Sequence, residues 1–185
     1  MPSTTVAART SQIHPLQIST IDSPGGGRIG LTFCPGKKDP NAMTGAWDRD
    51  LVADLDAIRH WGARTLVTLM ESHELEALHV PTLGDVAETT GLDWLHLPIR
   101  DVSIPDKRFE HRWPPVSTQL IDKLGRDESI VIHCKGGLGR TGLVAAVLLV
   151  HQGMSPDSAL LKVREARPGA IETREQEDYL HGHPY

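Results

Sequence analysis

The residues His133-Cys134-Lys135-Gly136-Gly137-Leu138-Gly139-Arg140-Thr141-Gly142 concentrate the reactive groups of this chain in one short segment. Glycines between a β-branched run and an apolar run let the backbone turn sharply and aim several N–H groups inward. With the positive end of a following helix, those amides form an anion cradle. Cys134 over that cradle stands where a thiolate is stabilised, which makes it a candidate nucleophile. Arg140 adds a planar fork of donors that suits two phosphate oxygens at once. A phosphate in the cradle would meet a nucleophile beneath it and a guanidinium beside it. Phosphoryl transfer needs little beyond such positioning and charge neutralisation.

The elements that must hold this loop can be read on either side of it. β-Branched apolar runs at Ile29–Phe33, Thr65–Leu69, Leu92–Leu97 and Ser129–His133 read as strands. Between them, Trp47, Leu51, Leu55, Ile58 and Trp61 step at helical spacing and stop at Gly62, a C-cap. Pro81 opens a short helix that Gly91 closes, and Val116, Leu120, Ile121 and Leu124 mark another ending at Gly125. Trp113-Pro114-Pro115 is read as the start of that helix. An apolar helix follows over Thr141–His151, then one opened by Ser155-Pro156 and running through Ala166. Thr173 and Gln176 form a capping box for the last. Alternating strands and helices predict an α/β fold, a mostly parallel central sheet covered by helices on both faces in three layers. Ligands in such sheets bind beyond the carboxyl ends of the strands, which places the site at the loop after His133. Residues 1–27 read as an N-terminal arm, with Leu16 and Ile18 hinting at an edge strand, and residues 28–185 as one catalytic domain.

With 185 residues, 39% of them hydrophobic and 23% charged, the chain can bury one ordinary core. A formal net charge of -5 argues against a partner of nucleic acid or anionic membrane. Only two cysteines, Cys34 and Cys134, speak for a reducing cytoplasm rather than a disulfide scaffold. No export signal or membrane-length apolar run is evident.

The Cys-x5-Arg spacing, with His133 before the cysteine and Thr141 after the arginine, resembles the signature of the cysteine-dependent protein tyrosine phosphatases. Phe33-Cys34-Pro35-Gly36-Lys37, Pro98-Ile99-Arg100-Asp101, Pro105-Asp106 and Ala170-Ile171-Glu172-Thr173 extend the likeness to the dual-specificity branch, closest to the cyclin-dependent-kinase-associated phosphatases. The resemblance implies that Cys134 attacks phosphorus and forms a phosphocysteine. Lys135, Gly136, Gly137, Leu138, Gly139 and Arg140 would bind the phosphoryl oxygens. Thr141 would hydrogen-bond the departing thiolate, and His133 would fix the loop and help keep Cys134 ionised. Asp101 would be the general acid, favoured over Asp106, and Gln176 would position the hydrolytic water. It further implies a phosphoprotein substrate carrying phosphotyrosine, with phosphoserine and phosphothreonine as additions, acted on by a monomer without cofactor or metal. In some relatives a second cysteine traps the oxidised nucleophile, a role Cys34 could take. Where close relatives have a first glutamine this chain has Glu172, expected to face solvent because a carboxylate would repel phosphate. Lys37 and Lys38 could flank the pocket, with solvated surface charge the favoured reading.

Competing readings rest on less. Gly137-Leu138-Gly139-Arg140-Thr141-Gly142 also satisfies a dinucleotide-binding glycine pattern, with Asp157 about 20 positions on. That acid follows Ser155-Pro156 at a helix start instead of ending a strand. His73-Glu74-Leu75-Glu76-Ala77 misses the zinc-protease spacing. A module that binds phosphoproteins with weak turnover and a phosphoinositide phosphatase, the latter suggested by Lys135 in the loop, are the functional alternatives.

Overall fold

The structure is a computed structural model that describes residues 7–183. A five-stranded sheet runs through its centre, in the order β1 (Ser19–Ser23), β2 (Gly26–Thr32), β7 (Ser129–His133), β5 (Ala63–Thr68), β6 (Asp93–His96). All pairings are parallel except β1 with β2 at one edge. The strand hinted at by Leu16 and Ile18 thus lies a few residues later. A separate hairpin of two-residue strands, β3 (Lys38–Asp39) and β4 (Trp47–Asp48), was not visible in the periodicity.

β7 sits at the centre and is buried along its whole length, which is why it reads as an unbroken apolar run. Ile130, Val131 and Ile132 pack between flanking helices on both faces. α5 (Gly139–His151) follows the loop and is buried on nearly every side, so it too is apolar all round. α6 (Pro156–Ala166) starts at Ser155, whose side chain accepts from the Ser158 N–H, with Pro156 in the first turn. α7 (Arg174–Gly182) carries the Thr173/Gln176 capping box. α1 (Leu51–Trp61) ends at Gly62, whose φ of 111° only glycine adopts without strain. α2 (Ser72–Ala77) and α3 (Leu83–Thr89) complete the connection from β5 to β6.

α4 (Lys107–Gly125) differs from expectation. It begins at Asp106, and Pro114 and Pro115 lie inside it instead of opening it. Each proline removes one N–H from the helical ladder. The helix is held regardless by its packed face: Phe109 and Trp113 stack at 5.2 Å, and with Leu120 and Leu124 they are buried against the sheet.

Residues 10–14 are also tied to the domain by specific contacts. Arg49 is buried and forks Asp54 through two bonds of 2.8 Å, while its other nitrogen reaches the His14 carbonyl at 2.8 Å. Asp54 also accepts from the Gly36 N–H at 2.9 Å, fixing the turn after β2. Through these bonds residues 10–14 anchor the segment that carries Lys37 and the hairpin toward the site.

Candidate active site

The loop after β7 wraps around Cys134, a residue 3% exposed whose sulfur accepts the Gly137 N–H at 3.2 Å. Gly137 has φ of 70°, and a Cβ there would run into the Thr32 carbonyl and Phe33 nitrogen at the end of β2. Only glycine lets the loop come that close to the neighbouring strand. Arg140, in the first turn of α5 and 2% exposed, returns its guanidinium toward the same space. Glu74 of α2 clamps it through two bonds of 2.7 and 2.9 Å, and the Ile99 carbonyl accepts a further N–H at 2.9 Å. That contact with the fork draws the Glu74 carboxyl below the ordinary glutamate value despite burial pushing the other way. One Arg140 nitrogen meets Asp101 at 2.9 Å. A cavity of about 390 Å³ opens above, bordered by Cys134, Arg140, Asp101, Lys37, Trp47 and Glu172. A cysteine sulfur, a guanidinium clamped by a buried carboxylate, and the carboxylate of Asp101 on an exposed loop therefore converge on one opening.

Known proteins resemble this arrangement over most of the chain. A family model described as Tc-R-P, polymorphic toxin system, DSP-PTPase phosphatase, matches residues 42–154. The chain is 33% identical over 156 residues to cyclin-dependent kinase inhibitor 3 of Rattus norvegicus, covering 83% of this chain and 70% of that protein. The chain belongs to the dual-specificity protein tyrosine phosphatase family. A solved structure of kinase associated phosphatase, with serine in place of its catalytic cysteine, matches at a TM-score of 0.78 and 31% identity, covering 90% of this chain and 93% of that one. Tk-PTP in its active form matches at 0.66 and 28%, covering 90% and 98%. The chain is accordingly a protein phosphatase, on the mostly parallel α/β fold its strand pattern predicts.

The other predicted residues take definite places in this phosphatase. His133 is fully buried, and burial lowers its imidazole to about 3, so it is neutral at physiological pH. Its Nδ1 lies 3.3 Å from the Cys134 carbonyl and its Nε2 is 2.7 Å from Thr68 Oγ1, which in turn accepts the Trp94 indole N–H at 2.9 Å. The set is satisfied when Nδ1 carries the proton and Nε2 accepts from the hydroxyl. His133 can thus brace the loop, but it brings no positive charge to the thiolate. Thr141 is buried with its hydroxyl unbonded among the described residues. Lys135 is exposed at the rim, and Gly136 and Leu138 line the cavity beside it.

Gln176 is completely buried, and its amide is already engaged. Oε1 accepts the Glu172 and Thr173 N–H groups at 2.9 and 3.4 Å, and Nε2 donates to the Ser103 carbonyl at 3.2 Å. It thereby ties α7 to the loop carrying Asp101. Glu172 is exposed, yet it borders the cavity, with its carboxylate over Gly139 at the start of α5. The positive helix end accounts for that placement of an acid. Asp106 is occupied as the N-cap of α4, accepting the Arg108 and Phe109 N–H groups at 2.9 and 3.0 Å. Those backbone bonds lower its carboxyl below the ordinary aspartate value. Cys34 is buried beside the loop, its N–H donating to the Lys135 carbonyl at 3.3 Å, and burial pushes its thiol well up.

Lys38 is a surface charge, exposed and paired with Asp48 at 2.5 Å. Lys37 is not: it is 8% exposed and lines the cavity. Neither Glu74 nor Arg167 is read from the sequence as a site residue. Glu74 stands in the segment considered only for zinc spacing. Arg167 donates from Nε to the Gly137 carbonyl at 2.5 Å and from Nη2 to the Gly136 carbonyl at 3.0 Å.

Proposed function

We propose that the enzyme hydrolyses phosphotyrosine in phosphoproteins, with phosphoserine and phosphothreonine as further substrates, through a phosphocysteine on Cys134. The observation that supports this most is the Cys134 sulfur under a loop N–H, at the floor of a cavity where Arg140 is aimed by Glu74. In the first step the thiolate forms the S–P bond while the ester P–O bond breaks, and Asp101 gives its proton to the departing oxygen. Arg140 and the amides of residues 135–139 hold the phosphoryl oxygens as charge spreads over them. In the second step water attacks phosphorus, Asp101 takes its proton, and the S–P bond breaks to release inorganic phosphate. The free hydroxyl of Thr141 donates to the returning thiolate, and the second N–H of Gln176 is available to hold the water.

The Asp101–Arg140 contact supports an ordered entry. A phosphoryl group arriving at Arg140 takes over the ion pair that Asp101 now makes with it, which releases the acid toward the ester oxygen. Two β-branched residues flank the machinery with positive φ, Val102 at 54° after Asp101 and Ile171 at 58° before Glu172. Such strain is costly and suits segments held for function. Free thiols at Cys34 and Cys134 fit action in the cytoplasm.

The deciding experiment compares the wild type with Cys134→Ser on phosphotyrosine peptides, phosphothreonine peptides and phosphoinositides. Turnover of the tyrosine peptide that disappears in Cys134→Ser, with oxyanion binding retained, is the expected result. Preference for the inositide, or binding of phosphopeptide without turnover by the wild type, would replace this reading.

A further inference from the structure

The backbone of the phosphate loop is clasped by two cations, Lys37 at the cavity wall and Arg167. Three successive carbonyls of the loop are each bonded by one of them. Lys37 Nζ donates to the Lys135 carbonyl at 3.4 Å, and Arg167 donates to those of Gly136 and Gly137. Lys37 is held over the Trp47 and Phe33 rings, its Nζ 4.0 and 4.7 Å from their centroids. Arg167 is half-buried, and its remaining nitrogen reaches Ser19 Oγ at 3.4 Å. Among the described residues neither has a carboxylate within ion-pair distance, unlike Arg49, Arg140 and Arg164, which are all paired. Neutral donors such as a glutamine amide would satisfy carbonyls without the cost of desolvating an unpaired charge. The negative charge that both cations do sense is that of Cys134, across the loop.

We propose that Lys37 and Arg167 are positioning residues for the phosphoryl site: they occupy the carbonyls of residues 135–137 so that the loop amides are left for the phosphoryl group, and their charge, which no carboxylate pairs among the described residues, is met by the thiolate and a dianionic tetrahedral oxyanion. This rests on the phosphatase reading of the loop. It assigns the enzyme a preference for dianions that Arg140, already neutralised by Glu74 and touched by Asp101, would not supply alone. Lys37 also gives the preference a pH limit. Burial lowers its ammonium to about 8 with Arg49 adding to the effect, while Cys34, Asp39 and Cys134 oppose it. Asp101, Glu172, Lys135 and Arg140 face it across the cavity. Below about pH 8 the charge is present, and above it the charge is lost.

Tungstate, a dianion throughout this range, is the probe. Its binding to the wild type, Lys37→Met and Lys37→Arg is measured by calorimetry on either side of pH 8, with the melting temperature of each unliganded protein. Lys37→Met should weaken binding on the order of 10–100-fold, as removal of one nearby charge from a dianion site requires, while melting no lower than the wild type. Wild-type affinity should fall as pH rises through about 8, and Lys37→Arg should hold its affinity across that range. Unchanged binding in Lys37→Met, a parallel loss of binding and stability in it, or the same alkaline fall in Lys37→Arg would overturn the proposal. A wild type that neither binds tungstate nor hydrolyses an aryl phosphate would instead remove the phosphatase reading beneath it.

Discussion

Asp101→Ala and Asp106→Ala should separate activity from stability in opposite directions. Asp106 spends its carboxylate on two N–H groups of the first turn of α4 and on Arg108 at 2.9 Å. Those bonds favour the ionised form and hold the carboxylate in the cap, away from the role of proton donor. Its removal uncaps a 19-residue helix and should cost about 1 kcal/mol, which lowers the melting temperature by roughly 2–4 °C in a chain of this size. Catalysis should change little. Asp101 is half-exposed, and its one ion pair is with an Arg140 that Glu74 continues to clamp. Losing it should alter stability by less than about 1 kcal/mol. Turnover of phosphotyrosine peptide, however, should fall on the order of 10²–10⁴-fold.

The leaving group makes this test specific. Tyrosine leaves as a phenolate whose conjugate acid has a pKa of about 10, so the peptide needs the proton. An activated aryl ester with a much more acidic leaving group needs it far less, and its turnover by Asp101→Ala should fall by a much smaller factor. Steady-state kinetics on both substrates, beside thermal unfolding of both variants, reads every term. If Asp106→Ala shows the leaving-group-dependent loss and Asp101→Ala does not, the reasoning from the cap and from the Arg140 contact is wrong.

Further outcomes follow from the same geometry. Glu74→Gln should lower kcat/KM on the order of 10²-fold, since a misaimed guanidinium stabilises the transition state poorly, and destabilise by about 3 kcal/mol because it leaves a buried charge short of its partner. A variant with wild-type kcat/KM would refute the clamp. His133 binds its proton less readily folded, at about 3, than at its ordinary 6.5. The unfolded chain therefore takes up more protons in that window, and stability falls as pH drops below 6.5, by about 2 kcal/mol at pH 5; urea unfolding of His133→Asn should show a flatter acid limb. For Lys37 the unfolded chain binds the extra proton between about 8 and 10.5, so the unliganded enzyme should gain up to about 3 kcal/mol across that range, a gain missing in Lys37→Met. Mild peroxide should inactivate the enzyme reversibly. If Cys34 traps oxidised Cys134, Cys34→Ser should recover less under dithiothreitol, and full recovery would remove that role.

The parts legible in the sequence were those whose physics is local. The strand Ser129–His133 coincides with β7 because a central strand is apolar on both faces. Gly62, Ser155 and the Thr173/Gln176 pair fall where caps were expected, because a cap is decided by a few adjacent residues. The cradle could be read for the same reason, its nucleophile, amides and arginine being contiguous. Glu74 could not, because it meets Arg140 across 66 positions and no spacing within α2 reports a partner in α5. Arg167 and Lys37 likewise act on loop carbonyls, groups that every sequence has and none displays. The front half of α4 was lost to Pro114 and Pro115, which favour a first turn when nothing else is known. The i, i+4 pair Phe109 and Trp113 was the available signal, and it outweighed them.

The charges of the site gain their meaning from the order in which they are neutralised. Glu74 is a permanent partner of Arg140, buried with it and bonded twice, so it sets direction without competing for substrate. Asp101 is the more exposed partner, held by one ion pair and followed by Val102 at positive φ. In the proposed mechanism a dianion at Cys134 displaces Asp101 and not Glu74, which frees the acid to reach the ester oxygen. On the same proposal Lys37 and Arg167 stay charged beside the loop at neutral pH, which keeps the cradle attractive while Asp101 leaves. A neutral set of loop braces would hold the same backbone shape, but the displaced carboxylate would then return against the incoming phosphate with less opposing it.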